Sequence, residues 1–158
     1  MPLPAPALEH VADLTVRVAA PLEAGMVQGL NSRGRRRIIP IIGGEVQGPG
    51  LHGRVMGGGA DFQIIVSDTS ADLDARYLLE LDDGEHVYVH NRALRRGSAE
   101  DIARLARGEP VDPAAIYFRS VPRFEVSSPR LQWLTESIFV GAGARYPDRV
   151  LISIFRVS

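Results

Sequence analysis

The feature that most constrains this chain is a period of two. Apolar residues alternate with polar ones at Leu14, Val16, Val18, again at Tyr77, Leu79, Leu81, and again at Val150, Ile152, Ile154. That is the spacing of strands with one face in a core and the other in water. Such blocks follow one another closely, and about nine strands are predicted: Asp13–Ala19, Arg36–Ile42, Leu51–Met56, Phe62–Val66, Ala75–Leu81, His86–Asn91, Ile116–Val126, Leu131–Val140 and Arg149–Val157. Turn signals separate them, the clearest being Asp82-Asp83-Gly84. One segment breaks the pattern. In SAEDIARLARGEP, Ser98 offers a cap oxygen, Asp101 sits at the reciprocal capping position, and Ile102, Leu105 and Ala106 form one apolar stripe. This predicts a single short helix over residues 99–107, closed by Gly108 and Pro110.

An all-β chain has two sheet edges to hide, and closure into an antiparallel barrel removes both. The 158 residues suit one domain with a real core, so residues 1–158 are read as one β-barrel. The glycines fit this reading better than a nucleotide site. GPGLHG, from Gly48 to Gly53, satisfies Gly-x-Gly-x-x-Gly, but a dinucleotide turn must open a helix. Here Arg54-Val55-Met56, three more glycines and the block Asp61 to Val66 follow, all of β type, and Pro49 removes a backbone donor. The glycines are read as barrel corners, where backbones approach closely.

The net charge of -1 argues against a general nucleic-acid binder. The run Arg33, Arg35, Arg36, Arg37 is read as a solvated strand edge, with an anion or partner site as the alternative. No cysteine is present, which excludes disulfides and thiolate chemistry and suits a reducing compartment. The opening MPLPAPALEHVADL lacks a basic start and an apolar core, and no apolar run is long enough to span a bilayer. A soluble, cytoplasmic protein without membrane contact is expected.

Four blocks in order carry a family resemblance: GRRRIIPIIGGEVQGPGLHGRVMGGGADF, LDARYLLELDDG, IYFRSVPRFE and WLTESIFVG. Together they resemble domain of unknown function family 3237, also labelled uncharacterised protein family 0311, over nearly the whole chain. The resemblance implies a compact, calycin-like or cyclase-like antiparallel barrel with a central cavity, commonly an oligomer. Phe62 stands where that family often has Trp, Gln47 where Glu is common, Ala93 where Gly is usual and Thr135 where Asn is frequent. If these line the cavity, the ligand differs from that of the relatives.

In such a lumen, a polar side chain on an apolar inward row is the feature to look for. Asp61 follows three glycines, opens a strand and matches the Asp of the family block. It is either an acid/base group whose pKa rises in an apolar lumen or a cap on the glycine turn. Tyr117 and Arg119 share a strand face and could hold an enolate or carboxylate, or serve as rim residues. Tyr77 and Trp133 could shape a pocket, although a lone Trp is also ordinary core. His86, Tyr88 and His90 share one face opposite Val87 and Val89. Two histidines four apart on a strand lie about 13 Å apart, too far to share an ion, so no metal is expected. If the valines face the core, the histidines face solvent; His90 beside Asn91 is a weaker lumen candidate, as is Phe62.

Two functions follow. One is an enzyme without a cofactor that isomerises, cyclises or eliminates on a small hydrophobic, aromatic or polyketide-like molecule, with Asp61 as base and Tyr117 and Arg119 stabilising negative charge. The other is a carrier or sensor using the same cavity. Either is expected to form a homodimer or higher homo-oligomer, because the C-terminal strand is strongly aliphatic.

Overall fold

Alternation along the strands closes the sheet on itself. The computed structural model describes residues 1–158. Its strands are β1 (Leu8–Val18), β2 (Leu22–Gln28), β3 (Arg33–Gln47), β4 (Gly53–Val55), β5 (Gly59–Ile65), β6 (Ser70–Leu81), β7 (His86–Arg96), β8 (Tyr117–Val126), β9 (Ile138–Arg145) and β10 (Arg149–Val157), with one α-helix, α1 (Ala99–Ala106). Pairing runs β1-β10-β9-β8-β7-β6-β4-β3, and β1 pairs with β3, which joins the ends into an antiparallel barrel. The first half of β3 lies between β2 and β5 and the second half between β1 and β4. Thus β1 and β2 succeed one another along one side of β3, and β4 and β5 along the other. The seams differ in strength. β6 and β7 pair without a break from Ser70↔Arg96 to Glu80↔His86, whereas β8 and β9 meet only at Arg119↔Ala142 and Ser120↔Gly141.

The inward rows fill one end of the barrel. Leu14, Val46, Leu79, Val87, Val89, Phe139 and Ile154 are fully buried there, each contributing about 1.5–3 kcal/mol of hydrophobic stabilisation. Phe124 meets Phe139 edge to face at 5.2 Å. A 3-10 helix, Pro129–Thr135, closes this end: Leu131 and Leu134 are buried and the Trp133 ring lies 6.1 Å from that of Phe139. At α1, Ser98 Oγ accepts the Asp101 N–H at 3.0 Å, and Ile102 and Leu105 pack against the core.

The all-β barrel with one short helix agrees with the sequence reading, with two corrections. β2 was not predicted, because LEAGMVQ is mostly exposed and carries no apolar alternation. The predicted strand Leu131–Val140 is instead a 3-10 helix followed by β9. Leu131 and Leu134 are three apart, the repeat of a 3-10 turn, and Ser128 caps it through the Arg130 N–H. The Gly48–Gly53 motif opens no helix; it leads into β4. A Cβ on Gly53 would lie 2.3 Å from the Glu80 carbonyl oxygen, and one on Gly59 2.3 Å from that of Arg76. Glycine at these two positions lets β4 and β5 press against β6. No helix is long and apolar enough to cross a membrane.

Candidate functional site

The end of the barrel opposite the 3-10 floor holds a cavity of about 80 Å³. Its walls are apolar where Val16, Ile39, Ile41, Phe118 and Ile152 point inward, and its mouth lies at Pro21, Tyr146 and Pro147. Polar groups interrupt these walls at Arg37, Asp61, Gln63, Tyr77, Asn91 and Arg95, with Arg145 near the mouth. Each continues an inward row. Arg37 precedes Ile39 and Ile41 on β3, while Asn91 and Arg95 extend the row of Val87 and Val89 on β7.

Asp61 is held by the protein on both oxygens. Gln63 Nε2 donates to Oδ2 at 2.8 Å, and the Asp74 backbone N–H donates to Oδ1 at 3.1 Å. The second bond falls where β5 and β6 do not pair, between Asp61↔Ala75 and Ile64↔Asp72. Burial raises the Asp61 carboxyl above the usual carboxylate range, and the Gln63 bond, the Arg95 charge and the Asp74 N–H only partly offset it. Tyr77, 4% exposed, is pushed well above the ordinary phenol by burial first and by the Asp61 charge second, so it stays a neutral donor. Burial lowers Arg95 to about 10, with repulsion from Arg145 and Arg37 adding and Asp61 opposing. Arg145 is lowered by burial and by Arg37. At about 10, Arg95 remains a cation at neutral pH.

Arg37 donates through Nε to Glu23 Oε1 at 2.8 Å, and Glu23 lies on β2 at the rim, 46% exposed. Arg95 is 4% exposed and its guanidinium lies 6.0 Å from the Phe118 ring centroid, yet neither its side chain nor that of Arg145 makes a hydrogen bond within the protein. Gln63 Oε1 and Asn91 Oδ1 are buried without a partner. An unpaired buried polar atom costs about 1–3 kcal/mol.

The structure brings three of the candidate residues together: Asp61, Tyr77 and Asn91 all line the cavity. The others lie elsewhere. Phe118 and Ser120 take the inward positions of β8, so Tyr117 and Arg119 stand on the outer face, with Tyr117 46% exposed and the Arg119 guanidinium 5.5 Å from its ring centroid. The predicted phenol and guanidinium pair is therefore outside the lumen. His90 alternates with inward Asn91 and meets Asp74 Oδ1 at 2.8 Å on the outside, as His86 meets Glu80 at 3.2 Å. Phe62 lies between inward Asp61 and Gln63, so its ring faces outward. Trp133 belongs to the floor. Gln63, Arg95 and Arg145 are absent from the sequence reading. That reading favours a solvated edge for Arg37, with an anion or partner site as the alternative; its spacing to Ile39 and Ile41 puts it on the buried face, while Arg33 and Arg35 are exposed.

The comparisons with known proteins place this barrel among relatives. The family described as Protein of unknown function (DUF3237) matches residues 6–157. A UPF0311 protein of Rhodopseudomonas palustris is 48% identical over 154 residues, covering 96% of this chain and 98% of its own. A UPF0311 protein of Bradyrhizobium diazoefficiens is 48% identical over 149 residues, covering 94% and 95%. The crystal structure of a conserved protein of unknown function from Rhodopseudomonas palustris superposes with a TM-score of 0.90 at 46% identity over 99% of both chains. A β-barrel-like protein from Acinetobacter baumannii gives 0.84 at 39% identity, also over 99% of both. A protein from Penicillium herquei, called an enzyme, gives 0.71 at 16% identity over 100% of this chain and 98% of that one, and shares the fold alone. With its family match over residues 6–157 and relatives near half identity over almost their full length, the chain belongs to the DUF3237 (UPF0311) family of β-barrel proteins.

Proposed function

We propose that this barrel binds a small, partly apolar molecule in its lumen and moves a proton on it, in a reaction of the isomerisation, cyclisation or elimination type carried by residues of the chain alone. The observation behind this reading is the meeting of Asp61, a carboxyl raised by burial, with the neutral Tyr77 phenol in one apolar-walled cavity. In this reading the Asp61 carboxylate takes a proton from a carbon next to a carbonyl. The C–H electron pair moves onto the carbonyl oxygen, and Tyr77 donates a hydrogen bond to the oxyanion as it forms. The proton then returns from Asp61 to another atom of the product, which regenerates the carboxylate. The Penicillium herquei barrel is called an enzyme; that likeness names no reaction for this chain.

A second reading, a carrier or sensor, draws on a different observation. Both Asp61 oxygens already accept hydrogen bonds from Gln63 and Asp74, an arrangement that ties β5 to β6. The test is to extract the purified protein, identify the bound molecule by mass spectrometry, and follow its conversion by wild type and Asp61→Asn. Loss of turnover by about two to four orders of magnitude supports the enzyme. Tight binding with no turnover in either protein supports the carrier.

Self-association is also proposed. Leu8, Val157 and Ile138 stand side by side across β1, β10 and β9, and Leu8 and Ile138 are 59% and 63% exposed. Covering such an apolar row with a second copy removes it from water.

A further inference from the structure

We propose that the ligand of the lumen is a small organic anion: its carboxylate or enolate oxygens sit between Arg95 and Arg145, its hydroxyl or N–H faces Gln63 and Asn91, and its apolar body lies against Ile41, Phe118 and Ile152. This rests on the reading of the lumen as a small-molecule site and gives it a chemical class.

The charge inventory points this way. Three arginines, Arg37, Arg95 and Arg145, line one cavity, and the only carboxylate lining it is Asp61. Glu23 answers Arg37 from the rim. Asp61 is already held by Gln63 and the Asp74 N–H and receives no hydrogen bond from either remaining arginine. Arg95 is therefore a buried cation whose five N–H donors have no acceptor in the protein. The Phe118 ring, 6.0 Å from the guanidinium carbon, attracts the cation but does not replace the oxygen acceptors its N–H groups lack. Two coplanar oxygens of a carboxylate, or the two oxygens of an enolised dicarbonyl, match that edge.

The acceptor side is equally specific. Because Gln63 Nε2 donates to the Asp61 carboxylate, the orientation of its amide is fixed and Oε1 is an acceptor, buried and unpartnered. Asn91 adds a second buried amide without a partner. A donor on the anion, beside its carboxylate, answers these acceptors. The cavity of about 80 Å³ keeps it compact.

The experiment is calorimetric titration of the full chain, in chloride buffer free of other carboxylates, with salicylate, with its neutral analogue salicylamide and with benzoate, which lacks the hydroxyl. Wild type should bind salicylate about tenfold or more tightly than either other probe, and Arg95→Gln should remove about tenfold from salicylate while changing salicylamide by less than about twofold. If Arg95→Gln does not fold, Arg145→Gln carries the same comparison. Equal affinity for acid and amide, or equal loss of both on substitution, overturns the anion and leaves the small-molecule reading standing. Failure of all three probes to bind wild type overturns both.

Discussion

Asp61 Oδ1 accepts the backbone N–H of Asp74 at 3.1 Å, across the one stretch where β5 and β6 leave their ladder open. A side chain there does the work of a missing strand bond, and the same carboxylate faces the lumen. Structure and chemistry converge on one group.

Asp61→Asn separates the two roles through pH. Since burial raises the folded-state pKa of Asp61, the native state holds this proton more tightly than the unfolded chain. Its effect on stability is therefore neutral below the unfolded value of about 3.9 and turns progressively unfavourable as pH rises through the raised folded value. Asn keeps an oxygen for the Asp74 N–H and an amide for Gln63, whose own amide can turn to match it. The melting temperature of Asp61→Asn should equal that of wild type near pH 4 and exceed it increasingly toward neutrality. A gap that does not change with pH would sink the raised pKa.

Trp133→Ala tests whether the floor is separate from the lumen. The ring packs on Phe139 and lies against Gly50, and its removal should cost about 2–4 kcal/mol in denaturant unfolding. Salicylate binding by the folded fraction should be unchanged. A selective loss of binding would bring Trp133 back into the site.

Gly53→Ala should be costly for a residue so small, because the new methyl would stand 2.3 Å from the Glu80 carbonyl oxygen. A loss of about 1–3 kcal/mol is expected from chemical denaturation. A neutral result would show that β4 can move away from β6.

Light scattering of wild type should give a mass above the 17.2 kDa of one chain, and Ile138→Asp should return it to that value, because a charge in the Leu8, Val157, Ile138 row must be desolvated in any interface that covers it. A wild type that stays at one chain at high concentration counts against self-association.

Much of the barrel could be read from alternation alone, because β6, β7, β8 and β10 each place every second residue inside. β2 was invisible because its seven residues bury nothing completely and so leave no pattern. Asp61, Tyr77 and Asn91 are legible as site residues from the sequence, whereas the arginines are legible only in principle. Arg95 sits eight residues after Val87, on the same face by strict alternation, and Arg37 two before Ile39. What concealed them was their type: charged side chains are assigned to solvent by default, and only the closed sheet turns those rows toward a lumen. On β8 the opposite error followed from preferring the chemically attractive Tyr117 and Arg119 to the apolar Phe118, which is the buried residue.

The 3-10 helix seals one end of the barrel, and Pro21, Tyr146 and Pro147 line the cavity at the other. Exchange through that open end is a kinetic bottleneck common to both directions. Widening it with Pro147→Gly, a residue that makes no part of the arginine cluster, should raise the association and dissociation rates by the same factor and leave the equilibrium constant untouched. For this molecule, how fast a ligand exchanges and how tightly it is held are set at two different places in the chain.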